Sequence, residues 1–141
     1  MKMEKINKII TKHKAIFFVL TIIFTILITR GLVLIHDPNP VIAGFEFHHF
    51  DYGLILLIFI FILVAFSKSI RNSYIFLGAI AIGLIADEFW FIRQNVGLSK
   101  SPELQMAIYD STFFSAIIII IILVVIVATT SYIVNRKSKK Y

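Results

Sequence analysis

Four long apolar runs, with most charges pushed to their ends, restrict what this 141-residue chain can fold into. The runs lie at about 15–35, 52–67, 74–92 and 112–134. A helix needs about 20 mostly apolar residues to cross a bilayer, and each run approaches or reaches that length. The second is the shortest and can begin nearer His49 if its helix reaches into the interface. The chain is 59% hydrophobic and 16% charged, with fourteen Phe, more apolar surface than a soluble domain of this size can hide. The expectation is a single membrane domain over 1–141, an all-α antiparallel four-helix bundle. Short connections make consecutive helices neighbours.

The charges predict an orientation. Eleven of fourteen Lys and Arg, all but Arg30, Arg93 and Lys100, lie at the chain ends or between the second and third runs. The positive-inside rule makes that side cytoplasmic, with both termini there and the chain in the cell membrane. Seven of eight carboxylates, all but Glu4, then share the outer side with His36, His48 and His49. The net charge of +6 therefore points to anchoring at anionic lipid and the bilayer surface, and not to nucleic acid. The absence of Cys excludes disulfides and thiolate metal sites. Val41-Ile42-Ala43 resembles a signal-peptide cleavage site, but it lies well past the first apolar core, so an uncleaved first span is expected.

Two outer connections have local signals. His36-Asp37-Pro38-Asn39-Pro40 cannot continue a helix, because each Pro removes a donor and pushes its predecessor to extended geometry. Gly44-Phe45-Glu46-Phe47-His48 alternates apolar and polar residues, as a short extended stretch does. Gly97 to Lys100 ends one helix; Ser101 and Pro102 suit the N-cap and first position of the next, which can run on to Val134.

Asp87-Glu88 is the strongest chemical candidate. Asp87 precedes Arg93 by about 9 Å of helix, inside the outer leaflet, where ionisable groups are costly and face the bundle interior. Ala79, Gly83 and Ala86 form a small-residue face where another backbone, from a second copy or a partner membrane protein, can approach. Asp87 lies at the edge of that face. Glu88 lies nearly opposite and either snorkels or meets another neighbour. Two readings of Asp87 stand side by side: a structural ion pair with Arg30, or a catalytic or ligand role. A second candidate is the stretch Glu46-Phe47-His48-His49-Phe50-Asp51-Tyr52-Gly53 entering the second span. Imidazole and carboxylate suit a divalent metal, but interfacial His and Asp also satisfy backbone and water. Tyr109-Asp110-Ser111-Thr112 is a third: its Asp and Ser begin or cap a helix turn, or Asp110 adds another carboxylate at the same vestibule. Together His48, His49, Asp51, Asp87 and Asp110 form a candidate metal set, and Asp87, Glu88, His48 and His49 a candidate acid–base set. No nucleophile motif or phosphate-binding glycine loop is present.

His48-His49-x-x-x-Gly53 followed by Gly83-Leu84-Ile85-Ala86-Asp87-Glu88-Phe89 resembles small polytopic prokaryotic membrane proteins of unassigned function. The resemblance covers about the middle third of the chain and implies no reaction, cofactor or substrate. Three functions fit the residues: a protein with an outward polar site for a divalent metal or small cation, an enzyme on a lipid-type substrate at the outer leaflet, or a non-catalytic structural or accessory subunit. Transport fits less well, because no chain of ionisable residues crosses the inner half.

Overall fold

A computed structural model describes residues 13–35, 40–95 and 102–138. Among the described residues the fold is all-helical apart from one small hairpin. Helix α1 spans Lys14–Ile35, α2 His49–Phe66, α3 Asn72–Asn95, α4 Pro102–Ser111 and α5 Phe113–Ser138. Among the described residues, four stretches are long and apolar enough to cross a membrane: Lys14–Ile35, His49–Phe66, Asn72–Gln94 and Met106–Ile133. The last takes in the end of α4, since the helix from Pro102 onward is interrupted at Thr112 alone. There the Thr112 N–H bonds to the Ile108 and Tyr109 carbonyls at 3.2 and 3.1 Å, and Ala116 N–H picks up Thr112 O at 3.0 Å.

Between α1 and α2, strands β1 (Val41–Ile42) and β2 (Phe45–Glu46) pair antiparallel, Val41 opposite Glu46 and Ile42 opposite Phe45. The two turn residues, Ala43 and Gly44, have φ of 54° and 82°. Positive φ at both central positions suits the twist of a two-residue hairpin, and Gly44 accepts it without steric cost. The expected extended stretch is thus one arm of a hairpin. Residues 36–39, with the Pro38 break, and Gly97 to Ser101, with the expected N-cap, lie outside the described residues, as do Lys2, Lys5, Lys8, Lys12, Lys139 and Lys140.

Helix α3 is the centre of the structure, packing on α1, α2 and α5, while α1 also touches α5. It is the most buried of the four long apolar stretches. Helices α1 and α2, consecutive in sequence, make at most marginal contact, which corrects the expectation that consecutive helices are neighbours. The long connection containing the hairpin lets them stand apart, one on each side of α3. Small residues permit both packings. A Cβ on Gly83 would come within 2.7 Å of Thr25 Cβ and 3.2 Å of the Ile22 carbonyl, so α1 lies hard against α3. A Cβ on Gly53 would come within 2.8 Å of the Ala81 carbonyl, so α2 is equally close. Ile22, Ile26, Ala79 and Ala86 make the buried core between α1 and α3. The Ala79/Gly83/Ala86 face, which the sequence pattern offers to a partner, is therefore filled by α1 of the same chain. Outward, large apolar side chains stay uncovered, among them Phe61 at 73% and Phe114 at 77% exposure.

Candidate functional site

Both carboxylates of the Asp87-Glu88 pair are buried, at 1% exposure each. Adjacent helix positions point about 100° apart. Because α3 is covered on more than one side, the two acids enter different packing layers: Asp87 meets α1 and the α4–α5 junction, and Glu88 meets the start of α2.

Asp87 is fully engaged. Its Oδ1 accepts from Arg30 Nε at 2.6 Å, and its Oδ2 accepts from the Tyr109 hydroxyl at 2.8 Å. Thr29 Oγ1 lies 3.0 Å from the same Oδ2. The rest of the Arg30 guanidinium is used as well: Nη2 donates to the Asp87 carbonyl at 3.3 Å and to Thr112 Oγ1 at 3.2 Å, and Nη1 donates to the Tyr109 carbonyl at 3.3 Å. That carbonyl sits at the interruption of the last long helix, and also accepts the Thr112 hydroxyl at 2.6 Å. The Arg30 fork thus ties α1, α3 and the α4–α5 junction together, with its charge 4.4 Å from the Tyr109 ring centroid. A buried charge is tolerable only when paired and hydrogen-bonded, and both members of this pair are.

Glu88 has a different neighbourhood. Its Oε2 accepts the Phe50 N–H, one of the amides at the N-terminus of α2, at 2.9 Å. Its Oε1 lies 3.4 Å from His49 Nδ1 and 3.7 Å from His48 Nδ1, ion-pair separations and not short hydrogen bonds. His48 precedes the helix, as its N-cap residue, and the Glu88 carboxylate raises its pKa above the usual 6.5 against the opposing effect of burial. Asp51, three residues on, accepts the His48 N–H at 2.9 Å and so caps α2. Phe91 stands between the two clusters, edge-on to His48 at 5.8 Å and to Tyr109 at 5.5 Å between ring centres.

The candidate metal set is thereby split. Asp87 is held by Arg30, Tyr109 and Thr29; Asp51 is spent on the α2 cap; Asp110 is exposed. Among the described residues, no group of three or more His, Asp or Glu side chains is arranged to hold a metal ion. The physical reason is the geometry of α3: two acids adjacent in sequence are delivered to two separate interfaces. Of the candidate acid–base set, Glu88, His48 and His49 do gather, without Asp87.

Of the Asp87 cluster, Thr29 escaped the sequence reading; Tyr109 and Thr112 lay in the Tyr109-Asp110-Ser111-Thr112 candidate, but with no role of their own. Thr29 immediately precedes Arg30 within an apolar run, and Tyr109 is the residue beside the candidate Asp110. A polar residue one position from a membrane-depth Arg was the available signal for Thr29. No protein family, curated protein or solved structure matches the chain, so the site stands on its geometry alone.

Proposed function

We propose that this protein is a non-catalytic, multi-pass integral membrane protein of structural or accessory type. In this reading it is an antiparallel four-helix bundle with both termini cytoplasmic, and its Asp87 end faces outward. The observation that carries it is the saturation of Asp87: both carboxylate oxygens and the Arg30 fork are occupied within the chain. A carboxylate committed in this way is a clamp between helices; it has no free oxygen with which to take a proton from a lipid substrate. Uncovered Phe and Ile around the helices support the membrane placement, since water would make such a surface an aggregation site. The cationic Lys68 and Arg71 in the α2–α3 connection support the orientation.

The Cys-free chain gives a direct test. Single substitutions Ala43→Cys, at the exposed hairpin turn, and Ser69→Cys, in the exposed α2–α3 connection, are expected to label from opposite sides of intact cells or inverted vesicles. A membrane-impermeant maleimide should reach Ala43→Cys from outside only. Labelling of both positions from one side would overturn the four-span orientation.

A second reading has its own support: two imidazoles converge on one oxygen of buried Glu88, at an end of the molecule that also carries exposed Glu46 and Asp110. Excess carboxylate beside imidazole favours a small cation, with Zn2+ and Mn2+ the natural probes. Equilibrium dialysis of metal-stripped protein is expected to show reversible uptake of one of these ions, weakened about tenfold or more by Glu88→Gln and by His48→Ala/His49→Ala. Uptake that both variants leave unchanged, or no uptake of either ion, would remove this reading.

A further inference from the structure

At the end of the bundle opposite Asp87, α1 and α3 diverge around a cavity of about 430 Å³. That volume is in the range of sites that hold small organic ligands, about 300–1,000 Å³. Its walls are apolar, from Phe17 and Phe18 of α1 and Ile75 and Phe76 of α3. Its polar members are Lys14, Thr21, Asn72 and Ser73. Lys14 is the first residue of α1, and Asn72 and Ser73 open α3, so a cation and a helix start lie at the same end of an otherwise greasy hollow.

We propose that this cavity is a binding site for an anionic phospholipid of the cytoplasmic leaflet, with its phosphate at Lys14 and an acyl chain between the Phe17/Phe18 and Ile75/Phe76 walls. The inference rests on the membrane-spanning reading above and goes beyond it by assigning a particular lipid class to a particular place. Charge complementarity selects the occupant. A positive side chain at the mouth of an apolar slot matches an amphiphile whose head is negative and whose tail is hydrocarbon. Lys14 is half-buried, and a lysine so placed can lay its methylene stem on apolar wall with its ammonium at the polar rim. The amides of the first turn of α3 add to the attraction for phosphate. A second hollow, about 240 Å³ between α1 and α5, is lined by Ala15, Ile16, Val19, Leu20, Val124, Val127 and Ala128 and has no polar group among them. It offers an acyl chain a groove but offers a headgroup nothing, so it gives no preference for anionic lipid.

The test uses the single Trp of the chain. Trp90→Phe combined with Phe17→Trp moves the fluorophore from the Asp87 end into the cavity wall. This protein is reconstituted in phosphatidylcholine vesicles containing either brominated phosphatidylcholine or brominated phosphatidylglycerol, whose bromines quench Trp on contact. Phosphatidylglycerol is expected to bind about fivefold more tightly than phosphatidylcholine, the contribution of one basic residue at the surface. Lys14→Ala should bring the ratio to about one, Lys14→Arg should keep it, and Lys68→Ala/Arg71→Ala should leave it unchanged. Equal quenching by the two lipids overturns the site. So does a preference that follows Lys68 and Arg71 instead of Lys14, which marks diffuse surface charge. Quenching by neither lipid overturns the membrane reading itself. Excess inorganic phosphate in the buffer should not lower the phosphatidylglycerol preference; if it does, the site takes free phosphate and the lipid assignment falls.

Discussion

Arg30→Ala is expected to be the most damaging single substitution in the described part of the chain. It removes the Asp87 partner at 2.6 Å and, with it, the donors to the Asp87 and Tyr109 carbonyls and to Thr112. Leaving one member of a buried pair uncompensated costs about 3–5 kcal/mol, a large part of the stability of a small domain. The expected result is loss of most of the monodisperse protein in detergent, read by size-exclusion chromatography after a heating series. Asp87→Asn in the same chain should recover much of the loss, because the neutral amide needs no counter-charge. Arg30→Lys should fall between, since an ammonium keeps the charge but cannot reproduce the planar fork that spans three segments. If Arg30→Ala survives heating as well as the parent, or if the double variant is no better than the single one, the pair is not the clamp described here.

The second large effect is expected at Gly53. A Cβ there meets the Ala81 carbonyl at 2.8 Å and Ile85 Cγ1 at 2.9 Å. Backbone oxygen cannot step aside as a side-chain tip can, so Gly53→Ala forces α2 away from α3. Overpacking of this kind typically costs about 1–3 kcal/mol, and Gly53→Leu should cost more. Helix α2 has α3 as its main support, so displacement also draws Phe50 N–H and both histidines away from Glu88. Gly78 provides the contrast. A Cβ there meets nothing within 4 Å, and Gly78→Ala should be neutral or stabilise by about 0.5–1 kcal/mol through helix propensity. Thermal melts followed by circular dichroism would compare the two. Equal behaviour of Gly53→Ala and Gly78→Ala would mean that the α2–α3 contact is looser than the distances imply.

Much of this was legible in the sequence because membrane-length apolar runs and their charged flanks leave few alternatives. The four expected runs overlap the four long apolar helices, with most ends within a few residues; the largest difference is in the last, which begins at Met106 and not Thr112, while α2 begins at His49, a start the sequence allowed. Similar depth along the helices also made a pair with Arg30 one of the two readings open for Asp87. Lateral order was not legible. Helical periodicity places Glu88 nearly opposite the Ala79/Gly83/Ala86 face, but it cannot say which helix stands there, and the separation of α1 from α2 depends on a hairpin whose Ala43-Gly44 turn has a weak signature. The role of Tyr109 was hidden for a related reason: its partner, Asp87, is twenty-two positions away across a connection, and only the docking of the last helix against α3 makes them neighbours.

The position of α3 between α1 and α2 also sets an order of events as the chain is made. Synthesis delivers α1 and α2 first, and these two make at most marginal contact with each other. Until α3 emerges, Arg30 has no Asp87, the His48–His49 pair has no Glu88, and Gly53 has no surface to lie against. The nascent protein therefore holds two separate helices in waiting, one of them with an unmatched charge. The third helix is the first to offer a surface to both. A quality-control system that recognises an uncompensated Arg would see this chain as incomplete until Asp87 arrives, and the Arg30 fork is filled only when Tyr109 and Thr112 follow.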